Sequence, residues 1–210
     1  MKNSRLFLFA FFTLVFVLNI PAVAQTSSKA ANLQLASWKI FSPAEKNFKV
    51  SLPVEPERTL LPTAFEDVES IVHKSVTKFA MFQVISTDLP ADIEEDDLKK
   101  FWDSAISLGL NDVEKKQGAF IVRSRKDVSR GSILGREVII ENGTVSSRMQ
   151  FFLVKKRFYV VEMSKPDFQN MPKELAEIYQ AESDKFFNSF QIVDNKPQQV
   201  ARGAGNKQKQ

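Results

Sequence analysis

The segment from Gly135 to Met163 changes its hydrophobic pattern half-way along: GREVIIENGTVSSRMQFFLVKKRFYVVEM. Before the pair Phe151 and Phe152, apolar residues mostly alternate with polar ones, which is typical of a strand with one solvated face. After that pair they come in runs, and a strand that is apolar on both sides needs cover on both faces of its sheet. The pattern therefore predicts an α+β fold, in which a mainly antiparallel sheet forms the middle of a three-layer α/β/α sandwich.

The dipeptide Asn142–Gly143 predicts a tight hairpin turn inside this segment. Both central residues of a type I′ turn need positive φ, and Asn and Gly adopt it most readily. A two-residue loop at this dipeptide places a charge pair on the solvated face near the turn. The predicted pairs are Ile140 with Val145, Val138 with Ser147, and Glu137 with Arg148.

Further strands are predicted on both sides of this hairpin. SWKIF and NFKVSLP form a first hairpin, and Val68–Ser75, Phe79–Ile85 and GAFIVRSR are rich in strand-forming residues. The stretch VEPERTLLPTAFED contains Pro56 and Pro62. Proline cannot donate a hydrogen bond inside a sheet, so this stretch is predicted to be an irregular connection.

Two helices complete the predicted domain. The segment ADIEEDDLKKFWDSAISLGL has acidic residues in its first turn and Gly109 to end it. A second helix is predicted from about Pro172 to Asn188. The residues predicted to face inward are Leu98, Phe101, Trp102, Ala105 and Leu108 in the first helix and Leu175, Ile178, Tyr179 and Phe186 in the second.

The N-terminus has the pattern of an export signal. Lys2 and Arg5 precede an apolar stretch from Leu6 to Ile20, and Ala22-Val23-Ala24 offers small residues for cleavage before Gln25. An uncleaved membrane anchor is the alternative, but it needs roughly 20 apolar residues and this stretch is shorter. The predicted organisation is a signal peptide at 1–24, a linker at 25–37, a single α+β domain at 38–193 and a disordered basic tail at 194–210. We expect a periplasmic or extracellular protein with no stable membrane anchor after cleavage.

Cysteine usage and charge narrow the class of protein. The chain has no cysteine, so it has neither disulfides nor a thiol that could carry a lipid. Its formal net charge is +4, but two basic residues lie before Gln25 and four after Asp194, which leaves 23 basic against 25 acidic residues between them. A nucleic-acid-binding domain carries its positive charge on the fold itself, so no nucleic-acid partner is expected.

No set of residues typical of a catalytic, metal or cofactor site is present. His73 is the only histidine, and we interpret it as a structural or exposed strand residue. The acidic run at Asp92 and 94–97 does not match a calcium-binding loop, which would need Gly at Asp97 and Glu at Asp103. Phosphate-binding glycine loops and a GxSxG nucleophile motif are also missing from the sequence. We therefore predict no catalytic residue, no metal and no cofactor.

Two groups of charged residues are the candidate places for a partner to bind. The first consists of Arg123, Arg125, Lys126 and Arg130, of which Arg123 and Arg125 are predicted to share a strand face. It could attract an anionic partner, or it could be a solvated strand edge whose charges discourage aggregation. The second is the pair of Glu137 and Arg148 beside the projecting turn.

The order of these features resembles the PsbP-like family. The resemblance covers about Trp38 to Val193 and rests on NFKVSLP, a central helix, GREV entering a hairpin, RMQFFLVKKRFYVVEM as paired strands, and a last helix ending in FFNSF. That family includes extrinsic photosystem II subunits, the nuclear Ran-binding Mog protein and exported bacterial proteins of unknown role. The resemblance implies an α/β/α sandwich that works as a binding or assembly module, and it assigns a role to no individual residue.

Three functions follow from the sequence as hypotheses. The leading one is a secreted, non-catalytic binding or assembly module of the bacterial envelope, whose partner is an envelope protein or a small ligand. The alternative is a small-molecule or lipid carrier with a cleft lined by phenylalanines. A hydrolase is the third, with carboxylates such as Glu137 and Glu141 brought together by the fold. Partner identity and oligomeric state do not follow from the sequence.

Overall fold

A computed structural model describes residues 37–193 except 46, 64–67, 91–92, 94–96 and 168–170. The predicted signal peptide and basic tail, most of the predicted linker, and most of the acidic run before the first helix lie outside the described residues. The side chains of Leu98 and Leu108 are also outside the description.

The described residues form ten strands in two antiparallel sheets. β1, β2 and β10 make a three-stranded sheet, and the other strands make a seven-stranded sheet in the order β3-β4-β5-β9-β8-β7-β6. The strands are β1 (Lys39–Phe41), β2 (Phe48–Leu52), β3 (Glu57–Pro62), β4 (Glu69–Val76), β5 (Met81–Asp88), β6 (Ile121–Arg130), β7 (Ile133–Glu141), β8 (Val145–Val154), β9 (Arg157–Pro166) and β10 (Gln191–Ile192).

The large sheet is covered on both faces, as the pattern of β9 predicts. Phe158 and Val160 pack in a core with helix α1 (Leu98–Gln117). The alternate residues Tyr159, Val161 and Met163 pack in a second core with the three-stranded sheet and helix α2 (Lys173–Ser189). The fold is therefore an α+β sandwich of three layers, with α1 on one face and α2 plus the small sheet on the other.

Two elements differ from their prediction. Helix α1 does not end at Gly109 but continues to Gln117, where Gly118 follows with a φ of 82°. Gly109 is buried, and a glycine inside a helix is tolerated when neighbouring packing compensates. The stretch predicted to be irregular contains β3, whose last residue is Pro62. Because β3 is an edge strand, proline can occupy it.

The register of the β7–β8 hairpin also differs from the prediction. Ile140 pairs with Ser147, Val138 with Met149 and Glu137 with Gln150, which is a shift of two residues. The Asn142 backbone N–H donates to the Val145 carbonyl at 3.1 Å, so Gly143 and Thr144 are the central residues of the turn. Gly143 has a φ of 78°, as the first central residue of a type II′ turn requires. A shift of two leaves each side chain on its predicted face.

Candidate binding site

The predicted basic group lies on β6, at one edge of the large sheet. A β-bulge between Val122 and Ser124 interrupts its pairing with β7. Beyond the bulge, Arg125 pairs with Val138, on the α1 face, whereas Arg123 Nε donates to Glu141 Oε2 at 2.6 Å, on the α2 face. The prediction that Arg123 and Arg125 share a face is therefore wrong, because the sequence does not reveal the extra residue of a bulge.

Glu137 is the centre of a charged network on the α2 face. Its Oε2 accepts hydrogen bonds from Arg148 Nε at 2.8 Å and from Gln150 Nε2 at 2.6 Å. Lys126 Nζ lies 3.0 Å from the other oxygen, Oε1. Arg130 joins the network through Gln150, whose Oε1 accepts from Arg130 Nη2 at 2.9 Å. Two cations thus pair with one carboxylate, and a third is linked to it through Gln150.

The same arginines connect β6 and β8 to helix α2. Arg148 Nη1 donates to Ser183 Oγ at 3.1 Å and lies 3.4 Å from Asp184 Oδ1. Arg130 Nη2 donates to the Phe187 backbone carbonyl at 2.7 Å, near the C-terminal end of α2. Cations are favourable at that end of a helix because its last carbonyls have no partner within the helix. The network therefore has a structural role, whatever else it does.

Glu137 is not on a solvated face. Its side chain is 1% exposed, so the predicted surface pair with Arg148 is in fact an ion pair with a buried acid. The pair forms as predicted but diagonally, because Glu137 is opposite Gln150 in the ladder. Burial raises the pKa of Glu137, but hydrogen bonds from Gln150, Lys126 and Arg148 outweigh it and hold the pKa below its ordinary value of 4.5. Glu137 is an ionised structural acid.

A second buried glutamate, Glu162, was missed by the sequence analysis. Glu162 lies in β9 and is 0% exposed. Its sequence neighbours are the apolar residues from which cover on both faces of this strand was predicted. Its oxygens accept from Gln83 Nε2 at 2.5 Å and Ser164 Oγ at 2.7 Å, and Ser164 is itself hydrogen-bonded to Ser147 at 2.7 Å. Burial raises the pKa of Glu162 to about 7, although both hydrogen bonds lower it.

The two buried carboxyl groups do not form a catalytic pair. Glu162 alternates with Tyr159 and Val161 along β9 and lies on the α1 face, opposite Gln83 in the ladder. Glu137 lies on the α2 face, in the network with Arg148. The sheet separates them, so they cannot act on one substrate atom as a general acid and base do. Glu141, the other carboxylate named for the hydrolase hypothesis, forms an ion pair with Arg123.

His73 is a buried residue between the two sheets. It is 3% exposed, and its ring lies 5.1 Å from the Phe41 ring and 5.7 Å from the Phe48 ring, centroid to centroid. Of the two interpretations of this histidine, the structural one fits. Over the described part of the chain, no three His, Cys, Asp or Glu side chains are grouped so that they could hold a metal ion.

Many phenylalanines in the described part of the chain fill cores. Phe48, Phe82, Phe152 and Phe186 are completely buried and pack in the core under α2. Of the shallow clefts among the described residues, one beside Ile40 and Val54 has a volume of about 170 Å³ and one beside Lys155 and Lys156 about 190 Å³. Both are smaller than the ~300 Å³ of a typical small-ligand pocket.

Comparison with solved structures identifies the architecture. The solution structure of cyanobacterial PsbP (CyanoP) from Synechocystis sp. PCC 6803 matches with a TM-score of 0.51 and 12% identity, over 80% of this chain and 98% of that chain. The chain has a PsbP-like fold. A protein of unknown function from Pseudomonas aeruginosa matches with a TM-score of 0.36 and 12% identity, over 70% of this chain and 92% of that chain. No family model and no curated protein matches the sequence.

At this identity the likeness concerns the fold alone, so the candidate site rests on its own geometry. On this PsbP-like fold, the side chains of Lys126, Arg148 and Arg123 are 57%, 24% and 56% exposed. Arg125 is exposed as well. None of the described helices is both long and apolar enough to span a membrane. The described residues of β6 thus form a cationic strand at one edge of the large sheet.

Proposed function

We propose that the protein is exported and serves as a non-catalytic binding or assembly module of the bacterial envelope, which binds an acidic segment of a partner protein on strand β6. The observation that carries this proposal is the position of β6, an edge strand with exposed Arg123, Arg125 and Lys126. The N-terminal export pattern supports the location in the envelope.

The edge of a sheet can accept another strand. Its outer backbone N–H and C=O groups can form main-chain hydrogen bonds with an extended peptide, and the side chains along it select the peptide. From Ser124 to Arg130, β6 pairs with β7 in unbroken register, so this part of the edge is regular. The bulge at Arg123 ends the regular part and limits where a partner strand can lie.

Charge selects an acidic partner. Arg125, Lys126 and Arg130 lie on the regular part of β6 together with one acidic residue, Asp127, and Lys126 also pairs with Glu137 of β7. Charges on an edge strand discourage pairing with neutral or basic strands and with a second copy of the same edge. An acidic segment experiences the opposite effect, since complementary charges accelerate association and favour the correct partner.

The arrangement of the buried acids supports a binding role over a catalytic one. Glu137 forms ion pairs with Lys126 and Arg148, and Glu162 lies on the other face of the sheet. Neither is placed to share a substrate with a second reactive group. The small clefts beside Ile40 and Lys155 likewise favour a protein partner over an enclosed ligand.

Binding on β6 can be tested with a synthetic peptide of alternating Glu and Val, followed by amide chemical shifts of the ¹⁵N-labelled mature protein. We expect shifts concentrated in residues 124–130, which weaken as salt rises. Arg125→Glu should weaken binding, because it reverses an exposed charge on the edge without breaking an ion pair to Glu137. Lys49→Glu is the matched control, since Lys49 is an exposed strand lysine on the small sheet.

Two results would contradict binding on β6. Shifts that map to other strands, or equal binding by the Arg125→Glu and Lys49→Glu variants, would exclude β6 as the binding edge. In cells, a photocrosslinking amino acid at exposed Ser129 should capture an acidic envelope protein that the same probe at Lys49 does not. The export part is tested by N-terminal sequencing of the envelope fraction, where a start at Met1 would contradict cleavage before Gln25.

A further inference from the structure

A single histidine lies where the small sheet packs on the large one. His73 belongs to β4, and its ring contacts Phe41 of β1 and Phe48 of β2 at 5.1 and 5.7 Å between centroids. Phe48 in turn contacts Tyr159 and Phe190, with centroids 6.3 and 5.8 Å apart. The imidazole is therefore part of the aromatic packing that joins the two sheets, and it does not belong to the β6 edge.

Polar atoms near this packing lack hydrogen-bond partners. Among the described residues, His73 Nδ1, Glu45 Oε2 and Asn47 Oδ1 are buried without one. Glu45 and Asn47 lie in the turn between β1 and β2, and the other Glu45 oxygen, Oε1, accepts from Arg58 Nη2 at 3.2 Å. A buried polar group without a partner costs free energy, so a change in the charge of His73 acts on a site that is already incompletely hydrogen-bonded.

The charged groups that act on His73 are few. Arg58 lies opposite His73 in the β3–β4 ladder, and Glu45 faces it from the turn of the first hairpin. The other neighbouring strands present uncharged residues, which are Phe41 of β1, Phe48 of β2 and Val84 of β5. Burial lowers the pKa of His73 below its ordinary value of 6.5, Glu45 opposes that effect and Arg58 adds to it.

We propose that His73 is a pH-sensitive latch, which in its neutral form holds the β1–β2 hairpin on the large sheet and on protonation releases it. An imidazolium has two N–H donors, and Nδ1 makes no hydrogen bond in the folded protein. Release would expose Phe41 and Phe48 at mildly acidic pH. This goes beyond binding at β6, because the latch acts on the opposite part of the fold.

The sign of the effect follows from linkage. The pKa of His73 is lower in the folded protein than in the unfolded chain, so the unfolded chain binds the proton more readily. The contribution of neutral His73 to stability is present above about pH 6.5, the ordinary histidine pKa, and is lost as the pH falls through the folded pKa. An exported protein meets such a fall whenever its surroundings become acidic.

NMR titration of the imidazole tests the electrostatic part, and a single histidine makes the assignment unambiguous. We expect the wild-type ring to titrate below 6.5, with Glu45→Gln moving the midpoint lower and Arg58→Gln moving it higher. A wild-type midpoint at or above 6.5, or no response to either substitution, would overturn the proposal. Both substituted residues are partly exposed, so both variants should fold.

Hydrogen exchange tests the release itself. After correction for the intrinsic pH dependence of exchange, amides of β1 and β2 should lose protection between pH 7.5 and pH 5, while amides of β8 and β9 keep theirs. His73→Phe retains a ring without a titrating group and should remove this local loss. Equal loss in both sheets, or the same local loss in His73→Phe, would contradict the latch. If His73→Phe does not fold, the wild-type comparison of β1–β2 with β8–β9 still decides.

Discussion

Two glutamates are buried in the same sheet, and their surroundings shift their pKa values in opposite directions. Glu137 is 1% exposed on the α2 face, and Glu162 is 0% exposed on the α1 face. Cations and an amide hold the pKa of Glu137 below 4.5, whereas burial among neutral partners raises the pKa of Glu162 to about 7. Burial alone therefore does not decide the charge of an internal acid; the partners within hydrogen-bond distance do.

The two faces of the sheet are accordingly stabilised in different ways. On the α2 face, Arg148 and Arg130 connect the strands to the helix through charged hydrogen bonds. On the α1 face, the core is aromatic and aliphatic, with Trp102 5.9 Å from Phe158 between centroids, and Glu162 has only neutral donors. Substitutions of Glu137 and its charged partners should act on the first face, and the titration of Glu162 near neutral pH on the second.

The largest effect is expected from Glu137→Ala. It leaves Lys126, Arg130 and Arg148 close together without their buried anion, and removing one partner of a buried ion pair costs about 3–5 kcal/mol of unfolding free energy. Urea unfolding at pH 6 measures it. Glu141→Ala is the matched control, because its partner Arg123 is 56% exposed and the loss should stay within ~1 kcal/mol. Equal losses in both variants would show that Glu137 is not the charged centre.

The next effect concerns pH and Glu162. Its folded pKa of about 7 lies above the ordinary 4.5, so its contribution to stability is complete below about pH 4.5 and is lost as the pH rises through 7. The difference corresponds to about 3 kcal/mol. Glu162→Gln keeps the shape and neutral hydrogen bonds, so its stability should lack this decline, and it should exceed wild type at pH 8.5. A wild-type decline that persists in the variant would assign it to another group.

A smaller loss is expected from Arg148→Gln. In this variant Glu137 still has Lys126 and Gln150 as partners but loses its charged hydrogen bond from Arg148. We expect the unfolding free energy to fall by about 1.5–3 kcal/mol. The pKa of Glu137 should rise at the same time. Urea unfolding and carboxyl NMR measure the two effects. Lys173→Gln is the control, since Lys173 is 85% exposed and its 3.8 Å pair with Glu177 should be nearly neutral. A loss no larger than that of the control would contradict a role for Arg148.

The smallest effect is expected from Arg123→Ala. Its bond to Glu141 is short, at 2.6 Å, but the pair is exposed to solvent, and such pairs contribute about 0.2–1 kcal/mol. Thermal unfolding at low and high salt should show a small loss that salt removes. A loss above ~2 kcal/mol would mean that the bulge at Arg123, rather than the ion pair, depends on this side chain.

The layer architecture could be predicted from the sequence because it depends on hydrophobic pattern. The alternating and continuous parts of residues 135–163 indicate which strands need cover, and both cores confirm it. The α2 prediction from Pro172 also holds, since the helix begins at Lys173. A strand that follows prolines was missed because β3 is an edge strand, and edge position is a property of the whole sheet.

The candidate site could be predicted only in part. The Glu137–Arg148 pair was found because a hairpin turn fixes which residues are near each other, and a register error of two residues preserved the face. Burial of the pair was not predicted, because α2 covers that face from a distant part of the sequence. Glu162 was missed because one polar residue in an apolar strand does not reveal its partner Gln83, on another strand.

The most direct measurement is a ¹³C NMR titration of the glutamate side-chain carboxyl carbons, assigned with Glu137→Gln and Glu162→Gln. We expect Glu162 to titrate near pH 7 and Glu137 to remain ionised until the pH falls below 4.5. If Glu162 titrates near 4.5 together with Glu137, or if Glu137 is the carboxyl group that titrates near neutrality, the two faces of the sheet do not shift these pKa values in opposite directions.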